Sequence, residues 1–486
     1  MRLTQDLSKN IETLHQLLPI GRSFDLITRD LLLGTTKCYF LGVNGFCDTG
    51  ILQRIFSDLQ SESFTETDTV HDITLFLNRK IGYVQATLAD DWTLILEEAL
   101  SGPSVLFVDG FAQAIIIDVR TYPSRSMEEP DTEHITKGAR DGFVETLLLN
   151  TVLIRRRIRS SHLSFYMHKV GTCSKTDVAV VCLEDKASPE LLKAIRDKID
   201  SLNVTALTIG SKSLEELLLP RKWYHPLPAI LQTERPDVAC SYLAEGHILI
   251  IVDNSPSVMV LPCTIFQFTQ SPEDYYKSPL VGTYFRLIRF LCIPVSLLLM
   301  PLFLLLTAYF PEQTLQWQLL TSAEHSPARL TFYVLAVEFF LDLFQYAGAL
   351  SSGKFSGSLS IVGGLLIGDI AVSLNWASTE VLFYGAVTLL CSLSIFHLCF
   401  SEAIRIYRIF LILSTGLFGV YGFVISLVLT LVSIITTPTY GGFSYFWPLF
   451  PFNRKALYSL LFRSPTYKAQ PSRVWNRGHM HPSKKS

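Results

Sequence analysis

One stretch constrains this chain more than any other: YFRLIRFLCIPVSLLLMPLFLLLTAYF, residues 284–310. After Arg289 it carries no charge until Glu312. About 20 consecutive apolar residues suffice to cross a hydrocarbon core of about 30 Å, so this run spans a bilayer with some tilt. Pro294 and Pro301 interrupt the helical pattern, which membrane helices tolerate where neighbours satisfy the freed backbone groups. The sequence before the run reads as water-soluble, and nearly everything after it is apolar up to Ile435. The expected fold is an α/β cytoplasmic head of two subdomains followed by an all-α multi-span transmembrane bundle. The expected boundaries are 1–125, 126–280, 281–450 and, for a basic and partly disordered tail, 451–486.

Charged residues make up only 17% of the chain, against about 25% in ordinary globular domains. The depletion lies in the C-terminal part, and the net charge of −2 points to no class of partner. The N-terminus, MRLTQDLSKN, is polar and lacks the apolar core of a signal peptide, so the head is expected in the cytoplasm. Nine cysteines are scattered without a CxxC or a histidine at metal-ligand spacing. They read as small buried apolar residues.

Up to about residue 280 the pattern alternates. Residues 1–36 are predicted helical, with apolar positions at Ile11, Leu14, Leu17 and Leu18. A strand with a turn at Asn44-Gly45 follows in 37–48, then a helix over 51–59. In 103–120, PSVLFVDGFAQAIIIDVR, two β-rich runs flank Asp109-Gly110, a hairpin signal. Both runs are apolar without alternation, which sets the hairpin centrally in a sheet covered by helices. The Pro-, Gly- and charge-rich stretch 121–143 marks a subdomain boundary. Beyond it a helix is predicted at 144–158 and strands at 163–170 and 178–183. A helix at 189–202, a strand near 204–209 and helices at 213–219 and 237–245 follow, with strands at 247–253 and 257–262. Alternating strands and helices indicate an α/β layer structure. No internal repeat of fixed period is visible.

The head contains no GxxxxGK(S/T), GxGxxG, HExxH or GxSxG. Asp109 and Asp118 sit near strand ends, where paired carboxylates can hold a metal. A turn aspartate, and a charge facing solvent or an arginine, is the better reading of the two. His162, His168 and His247 are isolated and read as surface or satisfied histidines. The basic run RRRIR (155–159) lacks the interleaved aromatics of a nucleic-acid platform. A salt-bridged helix end, paired with Glu128, Glu129, Asp131 and Glu133, fits it better. No catalytic residue, metal or cofactor is expected, and no enzyme activity.

The linker and the helix after it, SRSMEEPDTEHITKGARDGFVETLLLNTVLIRRRIRSSHL (124–163), resemble the signature of GerA spore germination proteins of the A-subunit type. Arg125, Glu129, Pro130, Glu133, Lys137, Gly138, Arg140, Gly142, Phe143, Glu145, Asn150 and Arg155 to Arg157 fall at its positions. Lys137 stands where arginine is usual, which keeps the charge and loses the forked donor geometry. TERPDVACSYLAEGHILIIVDNSPSVMVLP (233–262) is similar to a second block of the family, and SPEDYY (271–276) with GTYFRLIRF (282–290) to its entry into the membrane. GGLLIGDIAV (363–372) resembles a membrane motif, with Asp369 where Gln or Ala is usual. Within the family the likeness is greatest to the stage V sporulation AF branch. The resemblance covers most of 30–450. It implies a role in spore germination, in the spore inner membrane, beside other spore-membrane germination proteins.

In the membrane part, residues 330–350 contain VEFFLDLFQYAG. Glu338 and Asp342 are four apart and share a helix face. Carboxylates at membrane depth are costly and face protein or a water-filled cavity. The face is then a pore lining or a polar helix contact; a helix lying in the interface plane is the other reading. Residues 358–374 carry Gly363, Gly364 and Gly368, which permit close packing, and a third carboxylate, Asp369. Residues 381–400 form an apolar span with His397 as its ionisable group. The run 406–435, with Arg408, Gly416, Gly419 and Gly422, is long for one crossing and can break at its glycines into a helix and a re-entrant segment. From 450 onward there are eight Lys or Arg and no acid, which puts the tail inside, as Arg286 and Arg289 do for the start of the first span. Two ends inside demand an even number of crossings, against five apolar segments.

The expected function is an oligomeric ion-conducting channel subunit, since rings of carboxylates select cations and one copy has too few spans to enclose water. The alternatives are a non-conducting scaffold subunit and the A subunit of a nutrient germinant receptor. Expected partners are membrane lipid, further copies of the chain and other spore-membrane germination proteins, with no nucleic acid. Glu338, Asp342 and Asp369 are the candidate pore or helix-contact residues. Arg125, Glu129, Pro130, Glu133, Gly138, Arg140, Gly142 and Glu145 are expected to couple the two parts of the head, the charged ones by hydrogen bonds.

Overall fold

The uninterrupted apolar runs of the head become the middle strands of two antiparallel sheets. The computed structural model describes residues 2–33, 36–61, 73–81, 83–121, 133, 137–219, 224–310, 326–350, 373, 378–442 and 444–463. The described residues fall into two compact units, one of 2–219 and 230–262, the other of 224–229 and 263–463. The first unit closes at Pro262.

The first unit opens with α1 (Leu7–Leu17), β1 (Leu26–Leu33), β2 (Thr36–Val43), α2 (Thr49–Ser61), α3 (Ile73–Lys80), β3 (Ala86–Ala89), α4 (Trp92–Ser101), β4 (Ser104–Val108) and β5 (Ala114–Ile117). It continues with α5 (Leu147–Arg157), β6 (Leu163–Val170), β7 (Thr176–Leu183), α6 (Pro189–Asp200), α7 (Gly210–Leu218), β8 (Leu231–Thr233), α8 (Pro236–Glu245), β9 (Ile248–Val252) and β10 (Val258–Leu261). The helix expected over 1–36 stops at Leu17. Pro19 and a left-handed Gly21 break it, and the following residues pair with β2 as a strand, Leu26 opposite Val43. The strand expected near 204–209 does not form. Those residues are irregular and lead into α7.

The hairpin around Asp109-Gly110 is central, in the order β1-β2-β4-β5-β3. Its alternate residues feed two cores. Val105, Phe107, Ala114 and Ile116 face one side, with α1 and α4 residues such as Leu14 and Ile95. Leu106, Val108, Ile115 and Ile117 face the other, with Ile55, Leu59 and Phe76. Burial on both faces is why these strands show no polar alternation.

A repeat that the sequence conceals organises this unit. The element order from α1 to β5 recurs from α5 to β10, and the second sheet runs β6-β7-β9-β10-β8, the first order shifted by five strands. The registers agree: Ser104 pairs Ile117 as Ile248 pairs Leu261, and Ala89 pairs Ala114 as Thr233 pairs Val258. Even the polar bonds recur. Buried Asn10 and Asn150 each close a ring with the backbone of the residue six earlier, Thr4 and Val144. Asp109 and Asp253 each accept from the first amide of a helix far away in sequence, Leu7 at 3.2 Å and Leu147 at 3.1 Å.

The second unit contains a one-turn helix α9 (Glu273–Tyr276), then α10 (Pro279–Tyr309), α11 (Pro327–Leu350), α12 (Thr379–Leu393), α13 (Leu398–Ile435) and α14 (Arg454–Leu461). Among the described residues only α10 and α13 are long and apolar enough to cross a membrane, rather than five segments. α11 carries charge and α12 has 15 residues. The apolar stretch 358–374, the loop 311–325 and the end of the tail lie outside the described residues. Met300 and Phe303 of α10, Val334 of α11, Val381 of α12 and Ile412 of α13 share one core.

α13 is two helices. The Tyr407 hydroxyl lies 2.6 Å from that of Ser433, 26 residues on, where a straight helix would separate them by about 39 Å. The chain folds back at Gly419, whose φ of 61° and ψ of −137° are not helical. A Cβ on Gly422 would stand 1.9 Å from the Ser414 carbonyl oxygen, so only glycine lets the returning leg pass there.

Candidate functional site

In the second unit the acids of α11 meet arginines of α13. Arg405 and Arg408 are three apart and face Glu338 and Asp342, four apart, so both pairs close at once. Arg408 Nη2 donates to Glu338 Oε2 at 2.8 Å, and its Nη1 donates to the carbonyl and hydroxyl of Ser296 at 3.0 and 3.1 Å. All three residues are buried. Asp342 pairs with Arg405 at 3.0 Å and is partly exposed; Arg405 also donates to Gln345. The result is a polar lock across α10, α11 and α13. Both sequence-predicted carboxylates are thus neutralised by their own chain. Among the described residues Glu338 Oε1 and Arg408 Nε find no hydrogen-bond partner. Asp369 lies outside the described residues.

Among the described residues those of the head signature take separate places. Arg125, Glu129 and Pro130 lie outside the described residues. Glu133 is buried, accepting from the Thr233 hydroxyl at 2.7 Å and the Glu234 amide at 2.9 Å. Burial pushes its carboxyl up to about 7, against the opposing pull of those bonds. Fully buried Arg235 clamps the same segment, donating to the carbonyls of Glu133 (3.3 Å) and Ala139 (2.9 Å) and to Asp237 (2.9 Å). Gly138 has φ 142°, and Gly142 is buried. Arg140 and Glu145 are exposed, and the Glu145 carbonyl accepts from Asn254.

Among the described residues the start of the basic run ties the two halves of the head. Arg155 reaches Asp25 at 2.7 Å, both 2% exposed or less, and also caps the carbonyls of Ser160 and Leu163. Arg157 takes Asp141 at 2.6 Å; of the acidic stretch expected for the basic run, Glu128, Glu129 and Asp131 lie outside the described residues. Sequence reasoning did not single out Asp25, Arg235 or Arg405. Arg235 was within reach, since it stands inside the TERPD block. His168 is buried and its Nδ1 lies 2.6 Å from Asp200 Oδ1, while His247 is fully buried, hydrogen-bonded to Pro262 O and pushed down to about 4 by burial. Burial raises the thiols of Cys38, Cys182 and Cys240 to about 12, far from a reactive thiolate.

Comparison with known proteins agrees with the motif reading. The model of the Bacillus/Clostridium GerA spore germination protein family matches residues 12–473. Stage V sporulation protein AF of Bacillus subtilis is 35% identical over 485 residues, 98% of this chain and 96% of that protein. Spore germination protein KA of the same organism is 28% identical, over 95% of this chain and 85% of its own length. The crystal structure of the N-terminal domain of the A subunit of the Bacillus megaterium spore germinant receptor GerK3 aligns with 54% of this chain and 96% of its own, at 25% identity and a TM-score of 0.39. With a family model spanning nearly its whole length and a relative matched almost end to end, the chain belongs to the GerA family of spore germination proteins.

Proposed function

We propose that this chain is an integral membrane protein of spore germination that passes ions as one subunit of an oligomer. The Glu338–Arg408–Ser296 lock carries the reading. Ser296 lies seven residues beyond Arg289, about 10 Å into the apolar run, and ionised groups at such depth are kept where they face protein or an aqueous path. The basic tail, with Arg286 and Arg289 at the start of α10, puts head and tail on the cytoplasmic side. One copy has too few helices to enclose water, so conduction needs a closed ring of copies. In this reading the paired state is the closed one, and the partly exposed Asp342–Arg405 pair is the group nearest an ion path. The role is transport, not catalysis.

A non-conducting scaffold subunit is the second reading, and the same pairing favours it: a carboxylate held by its own chain's arginine is not free to line a pore. Potassium efflux from liposomes holding the purified chain separates the two. Efflux that falls several-fold on Asp342→Asn supports conduction. A well-folded oligomer that passes no potassium, alone or with other spore-membrane proteins, decides for the scaffold.

A further inference from the structure

At the foot of α10 the positive charge is in surplus. Asp274, 1% exposed, binds two arginines of α10: Arg286 at 3.3 Å and Arg289 at 2.6 Å. Arg463, just past α14, packs against the same turn, since a Cβ on Gly282 would meet both its Cδ and the Asp274 carbonyl. Arg463 donates to the Tyr275 carbonyl at 2.6 Å, and its backbone amide bonds Thr283. Among the described residues it pairs with no carboxylate, while the neighbouring acid Glu273 pairs with Lys277. Arg286 is 2% exposed and also caps the end of α14 through the carbonyls of Ser459 and Leu460. The Arg286 guanidinium lies over the Tyr275 ring, 4.8 Å from its centroid, but among the described residues its Nη2 has no hydrogen-bond acceptor, nor have Nε and Nη1 of Arg463. A buried guanidinium N–H without an acceptor calls for a missing water or ion, and excess positive charge selects an anion.

The surroundings select which anion. Arg286 and Arg289 are the last charges before the apolar run. Tyr284, Leu287 and Leu291 form an exposed stripe on α10, 61%, 44% and 65% accessible, and Tyr275, Tyr458 and Phe462 are exposed beside it on α9 and around α14. Aromatic and apolar side chains around a basic cluster are what the headgroup level of a bilayer demands. We infer that Arg286 and Arg463 form a binding site for the phosphate of an anionic phospholipid, with its acyl chains against the α10 stripe.

Native mass spectrometry of the full chain, titrated with phosphatidylglycerol or phosphatidylcholine, tests this. One phosphatidylglycerol per chain should persist after phosphatidylcholine is stripped. Arg463→Gln should weaken its retention about tenfold, the loss of a charge-assisted contact of about 1.4 kcal/mol. Arg463→Lys should fall between, and Arg454→Gln, an exposed charge on α14, should leave retention unchanged. Should Arg463→Gln fail to fold, Arg286→Lys, which keeps the charge and loses the fork, takes its place. Equal retention of the two lipids, or no loss in Arg463→Gln and Arg286→Lys, overturns the site. Inorganic phosphate that protects the chain from thermal unfolding as well as phosphatidylglycerol does would assign the site to free phosphate and overturn the lipid.

Discussion

Deleting the Glu338 carboxylate leaves Arg408 buried with, among the described residues, only Ser296 hydrogen-bonded to it. Glu338→Ala should therefore destabilise the protein in detergent by about 3–5 kcal/mol. Replacing both partners by methionine should restore much of that, because the cost lies in the orphaned charge. Equal unfolding of the single and double variants would refute the lock. Glu133 offers a second test. Its folded carboxyl titrates near 7 against an ordinary value of 4.5, so the folded state holds the proton more tightly than the unfolded one. Its contribution is full below about 4.5 and is lost as pH rises to about 7, by about 3 kcal/mol at most. Thermal unfolding followed from pH 4.5 to 7 should fall more steeply in the native chain than in Glu133→Gln. At this scale the sequence displayed the acids and hid their partners. Glu338 and Asp342 stand out at i and i+4, but their arginines lie 70 and 63 residues away, and only the tertiary fold chooses them.

Among the elements, α13 depends on one residue. Gly419 holds a backbone conformation that side-chain-bearing residues rarely adopt, and a Cβ there would press on the Tyr309 ring at 2.8 Å. Gly419→Ala should cost about 1–3 kcal/mol and loosen the fold-back. Cysteines at 407 and 433 should be joined by a short bifunctional thiol reagent in the native background and much less in Gly419→Ala. Efficient joining in both would show that the turn does not rest on glycine. The break was legible, because the apolar run is too long for one crossing and is dotted with glycines. That the second leg returns along the first was not, because a tight turn between two apolar legs leaves no polar loop to mark it. β1 was misread for a related reason: Leu31, Leu32 and Leu33 suit a helix as well as a strand until β2 pairs with them. β8, three residues long, carries too little pattern to find.

For the whole molecule the duplication in the head had the weakest trace in the sequence. Its offset drifts from 137 residues, Leu26 to Leu163, through 140, Val43 to Leu183, to 144, Ser104 to Ile248. Loops of unequal length cause the drift, and a search for a fixed period passes over it. What survives is geometry: hairpin registers, a glycine in left-handed conformation closing α4 and α8 at Gly102 and Gly246, and the paired Asn and Asp bonds. The molecule thereby supplies its own matched control. Asn10 accepts one bond more than Asn150, from the Thr4 hydroxyl at 2.9 Å, so the match is made in a Thr4→Val background, where Asn10→Ala and Asn150→Ala remove the same two backbone bonds from the same turn of equivalent helices, each at about 1–3 kcal/mol. Equal shifts in unfolding would assign the cost to the bonds themselves. A larger shift at Asn150 would measure what the extra ties of the second half, Arg155 and Arg235 among them, add to an otherwise identical site, a comparison that most proteins allow only across different molecules.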